Sequence, residues 1–93
     1  MGIQRHIPNP NPDWPVIAAK LRAAGESPIL RMIDGLPAFP DEAPEPTWKE
    51  LRVGLIGGMI TIRKAFDGVT LVSWGTEDPG LAAAMETLAA ACA

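Results

Sequence analysis

Trp48-Lys-Glu-Leu-Arg-Val-Gly-Leu-Ile-Gly-Gly-Met-Ile-Thr-Ile-Arg-Lys-Ala-Phe-Asp-Gly-Val-Thr-Leu-Val-Ser-Trp74 alternates apolar with polar residues and is broken at Gly57-Gly58 and at Asp67-Gly68. Alternation at a period of two marks a strand with one buried face. Two-residue hairpin turns need positive φ, which these dipeptides accept at little steric cost. The stretch predicts a three-stranded antiparallel meander over 48–74.

The two turns also predict a register. A turn at Gly57-Gly58 sets Leu55 opposite Ile60, Val53 opposite Ile62 and Leu51 opposite Lys64. A turn at Asp67-Gly68 sets Phe66 opposite Val69, Lys64 opposite Leu71 and Ile62 opposite Ser73. Both place the same residues of the middle strand on one side, so Leu51, Val53, Leu55, Ile60, Ile62, Phe66, Val69 and Leu71 form a common apolar face. The other side then carries Trp48, Glu50, Arg52, Ile56, Met59, Thr61, Arg63, Ala65, Thr70, Val72 and Trp74, with Arg52 opposite Arg63 and Thr61 opposite Trp74.

Outward from the meander, residues 1–12 carry Pro8, Pro10 and Pro12, which predicts an extended arm. Asp13 as a cap, Pro15 in the first turn and Trp14, Ile17, Leu21 and Ala24 at helical spacing predict a helix over 13–25. Ile29 to Ile33 reads as a strand within 28–33, available as a fourth member of the sheet. Prolines 37, 40, 44 and 46 turn residues 36–47 into an acidic, proline-rich crossing. Asp78-Pro79 opens a second helix over 79–92, with Leu81, Met85, Leu88 and Cys92 on one stripe. Two helices with apolar stripes and a sheet with one apolar face predict an α+β two-layer sandwich. Its three- to four-stranded antiparallel sheet carries both helices on one face, in a single domain over 13–93.

Composition narrows the function classes. With 93 residues, the chain is one small domain. Eight basic against eleven acidic residues give a net charge of -3, which works against phosphate-rich partners. The order helix, meander, helix is similar in outline to double-stranded RNA-binding domains, but those begin their last helix with lysines, where this chain has Glu77 and Asp78. Nucleic acid is therefore not an expected partner. No apolar run approaches the roughly 18 residues of a membrane span, and none near the N-terminus suits a signal peptide. One cysteine gives no intrachain disulfide. The expectation is a cytoplasmic protein, bacterial in style given its alanine-rich last helix.

Catalysis has few candidates. His6 lies in the proline arm, Ser73 has inward parity, and Cys92 fits an apolar stripe, so no nucleophile, base and orienter converge. One histidine and one cysteine are too few for a structural zinc, and Asp41, Glu42 and Glu45 lack the spacing of a calcium loop. Gly54-Leu-Ile-Gly-Gly58 leads into a strand and not into a helix, which removes the anion-binding reading of a glycine loop. No catalytic residue, metal ligand or cofactor is assigned.

Tryptophan and arginine are enriched at binding hot spots, and the predicted outer face holds both. Trp48, Arg52, Arg63 and Trp74 are the candidate binding residues. They point to a noncatalytic protein-interaction module of adaptor, immunity, antitoxin-like or inhibitor type, acting through the outer face or a strand edge. Homodimerisation through the same face or through an unpaired strand edge is a separate possibility. The alternative is a small anion-binding domain, or a weak enzyme, with Arg52 and Arg63 as a clamp. In a third arrangement the proline segment folds over the face, with Asp41, Glu42 or Glu45 neutralising the arginines.

Overall fold

Six strands, two more than expected, form one antiparallel sheet in the computed structural model, which describes residues 3–9, 12–39, 42–73 and 79–93. The elements are β1 (Ile3–Ile7), α1 (Trp14–Ala23), β2 (Ile29–Ile33), β3 (Leu36–Pro37), β4 (Glu50–Leu55), β5 (Gly58–Ala65), β6 (Gly68–Ser73) and α2 (Pro79–Cys92). Their order across the sheet is β1-β6-β5-β4-β2-β3. Expected elements that fall on Asp41, Trp74, Glu77 and Asp78 lie outside the described residues. Among the described residues no helix is long and apolar enough to cross a membrane.

The two extra strands come from segments that prolines dominate. Ile3-Gln-Arg-His-Ile7 precedes the first described proline and pairs fully with β6, so the expected arm is extended but hydrogen-bonded. Asp34 (φ 51) and Gly35 (φ 83) form a turn with two positive φ values, the geometry that suits strand twist, and it returns the chain as β3. Pro37 lacks an N–H, and an edge strand is where a sheet tolerates it.

Both meander turns sit one residue earlier than the sequence suggests. Leu55 pairs with Gly58, Val53 with Ile60 and Leu51 with Ile62, so the first turn is Ile56-Gly57. Ala65 pairs with Gly68 and Ile62 with Leu71, so the second is Phe66-Asp67. The glycines answer to close neighbours. A Cβ on Gly57 would lie 2.1 Å from the Gly80 carbonyl oxygen of α2, and one on Gly68 would lie 2.2 Å from the Ile7 carbonyl oxygen of β1. Moving a two-residue turn by one position changes each partner by two, which preserves the facing of every side chain. The apolar face survives this correction except at Phe66, which lies in the turn and is 96% exposed.

One buried cluster unites Leu51, Val53, Leu55, Ile60, Ile62, Val69 and Leu71 with Trp14, Ile17 and Leu21 of α1 and Leu81, Met85, Leu88 and Cys92 of α2. α1 touches α2, and α2 touches β1 and β5. At its C-terminal end α1 closes with Glu26 N–H to Leu21 C=O (2.9 Å) and Gly25 N–H to Arg22 C=O (3.1 Å), the paired bonds of a Schellman motif. Asp13 stands at the N-cap and makes no side-chain cap bond; its carbonyl accepts from Ile17 N–H at 3.0 Å.

Candidate functional site

Strand pairing carries one row of side chains across the whole sheet on the side opposite the buried cluster. The row runs Gln4, Val72, Thr61, Arg52, Met32 and Pro37. The row below it holds His6, Thr70, Arg63 and Glu50. Arg52 therefore faces Thr61, and Arg63 faces Glu50. The expected Arg52–Arg63 pairing is corrected by the earlier turn; the two are diagonal neighbours. Arg63 Nε donates to Glu50 Oε2 at 2.9 Å, both side chains being substantially exposed. The side chain of Arg52 is half-buried and makes no hydrogen bond or ion pair among the described residues.

Glu42 and Glu45 do not supply the missing anion. Glu42 Oε1 accepts from Phe39 N–H at 3.2 Å, and residues 42–45 line a cavity with Ile33, Asp34 and Trp48. Neutralisation of Arg63 comes from its own cross-strand neighbour.

Trp48 leaves the predicted constellation. It precedes β4, where strand parity no longer governs, and the turn that bonds Trp48 N–H to Glu45 C=O (3.0 Å) tucks its ring into the core at 3% exposure. Lys64 Nζ lies 4.0 Å from the ring centroid and donates to the Pro46 carbonyl at 3.0 Å. Desolvation lowers the Lys64 pKa, opposed by the charges of Asp34 and Asp13. Trp74 lies outside the described residues.

The bulge in β2 brings an unforeseen residue to the face. Pairing slips between Leu30 and Met32, so Leu30 and Ile33 meet the inward Val53 and Leu51 while Ile29 and Met32 meet the outward Gly54 and Arg52. Arg31 is the extra residue. Its Nε lies 3.3 Å and its Cγ 3.9 Å from where a Cβ of Gly54 would stand, so the side chain fills the spot above that glycine. Gly54 separates Met59 from Ile29, which are 45% and 37% exposed, with Ile56 at the turn 76% exposed. Alternation in β2 gave no sign of the bulge, and Arg31 was legible only as one more strand residue.

The candidate nucleophiles stay apart. Cys92 is 1% exposed and burial pushes its thiol up to about 12, while Ser73 is also 1% exposed. His6 stands on the opposite side of the sheet from Cys92, with Nδ1 3.5 Å from Thr70 Oγ1 and Nε2 3.8 Å from Asp67 Oδ2. Among the described residues no group of three His, Cys, Asp or Glu side chains could hold a metal ion. Comparison with known protein families, with curated proteins and with solved structures finds no match to this chain.

Proposed function

We propose that this chain is a noncatalytic protein-interaction module whose two helices cover one face of the sheet and whose other face, centred on Arg52, receives a protein partner. The carrying observation is a half-buried arginine with no anionic partner among the described residues, set beside exposed Met59 and Ile29. An arginine bordered by apolar surface matches the residue types that dominate binding energy. The shared cluster of helix and inward sheet side chains supports the one-sided placement of the helices. Of the two sheet edges, β1 offers five residues and β3 only two, one of them Pro37, so an edge contact would use β1.

An anion clamp made by Arg52 with Arg63 has less support, because Glu50 already holds Arg63. The test is affinity purification from the native host with wild-type chain, an Arg52→Glu/Met59→Glu variant and a Val16→Glu control on exposed α1. Loss of specific partners from the first variant alone is expected. Identical partners with all three chains would overturn the reading.

A further inference from the structure

A cavity of about 280 Å³ opens where Pro12 and Asp13, at the start of α1, meet Pro46, Trp48 and Lys64. Lys64 shares the inward parity of Ile60 and Ile62, so the cavity lies on the helix side of the sheet, away from Arg52. Its lining brings together one carboxylate and one ammonium that do not neutralise each other. Asp13 stands at the N-cap of α1 with no side-chain cap bond, and its carboxylate has no hydrogen bond or ion pair among the described residues. Lys64 Nζ rests 4.0 Å from the Trp48 ring centroid and gives one of its three N–H donors to the Pro46 carbonyl (3.0 Å). Its other two donors have no hydrogen bond among the described residues. Desolvation weighs most on Lys64, but the charges of Asp34 and Asp13 act on it as well, so Asp13 and Lys64 are neighbours across the cavity although no ion pair joins them.

We infer that this cavity binds a small zwitterion with an apolar body, a free α-amino acid with an aliphatic side chain. Its ammonium group donates to the Asp13 carboxylate, its carboxylate accepts from the two remaining N–H groups of Lys64, and its side chain packs between the rings of Pro12 and Pro46. The charges decide the class. A simple anion would gain Lys64 but face Asp13, a simple cation the reverse, and only a molecule carrying both signs pairs with each. Size agrees, because the volume falls just under the roughly 300–1,000 Å³ of ordinary ligand pockets, room for an amino acid but small for a nucleotide. The floor is fixed in advance. The Trp48 ring carries the Lys64 ammonium on its face, and the turn that bonds Trp48 N–H to Glu45 C=O (3.0 Å) holds the ring. This site is separate from the proposed partner face, and neither requires the other.

The test is titration of the isotope-labelled full chain with the standard free amino acids, read from the Trp48 indole and Lys64 amide signals in nuclear magnetic resonance spectra. The N-acetyl and carboxamide derivatives of each binder are titrated alongside. At least one aliphatic amino acid should bind with a dissociation constant below about 1 mM. Each derivative lacks one charge and should bind about tenfold more weakly, the scale of one charge-assisted hydrogen bond. Asp13→Asn should remove the preference over the N-acetyl derivative, and Lys64→Gln the preference over the carboxamide. Asp13 is exposed and caps nothing with its side chain, so its variant decides the matter even where Lys64→Gln, which loses the contact to Trp48, fails to fold. The Arg52→Glu/Met59→Glu variant should bind as wild type. No binding at millimolar concentration would overturn the inference, as would equal affinity for the N-acetyl derivative or acetate binding as tightly as the amino acid. Each of these outcomes leaves the reading of the outer face standing.

Discussion

Asp34 shows how much one side chain can organise. It adopts φ 51 in the β2–β3 turn, and its Oδ1 accepts from the backbone N–H groups of Lys49 (2.7 Å) and Glu50 (2.9 Å), which fixes the start of β4. Those two bonds stabilise the ionised form and hold its carboxyl below the usual value of 3.8. A depressed carboxylate contributes stability that is complete above 3.8 and is lost as pH falls through the lower folded value. Asp34→Asn keeps an acceptor oxygen and should cost less than Asp34→Ala, with its deficit against wild type largest at neutral pH and shrinking as pH falls, which flattens the acid limb of a urea-stability profile; an unchanged acid limb would refute the assignment. Arg63 makes the opposite case. Its pair with Glu50 is exposed, so Arg63→Ala should cost less than about 1 kcal/mol in urea unfolding. At this scale the residue types on the outer face were legible, but their partners were not. Which arginine meets which neighbour depends on a register that one turn position alters, and Trp48 was placed by strand parity beyond the point where the strand begins.

Among the elements, the glycines explain why the meander was read correctly in facing and incorrectly in register. A Gly-Gly or Asp-Gly pair looks like a turn because it tolerates positive φ. Here Gly57 is also required by the approach of α2, and Gly68 by the approach of β1. Gly57→Ala brings a methyl within 2.1 Å of backbone that cannot rotate aside, so α2 must shift against the β4–β5 turn. The expected loss is roughly 1–3 kcal/mol, the range of overpacking, measured as a lowered thermal midpoint. α2 itself was fully legible, since its observed span Pro79–Cys92 matches the predicted 79–92. β1 and β3 were not, because both borrow their order from a neighbouring strand and neither carries a long enough apolar pattern of its own.

For the molecule as a whole, β1 closes the sheet edge that β6 would otherwise expose. Deleting residues 1–9 removes the buried Ile7 and the Asn9 side-chain bond to the Cys92 carbonyl (2.9 Å), and uncovers the backbone of β6 beside Val72. The truncated chain should unfold at lower urea and self-associate in light scattering, as open strand edges do. Cys92 gives an independent gauge of integrity. Its thiol is buried and strongly protonated, so a thiol reagent should label the native chain only as fast as the core opens, and labelling should accelerate in the truncated form. The pairing of β1 with β6 also orders events at the ribosome. Of the six described strands β1 is made first, and its hydrogen-bonding neighbour β6 is made sixth. The local hairpins of the meander can close while β1 waits, and the β1–β6 seam is the strand pairing that must close the longest loop.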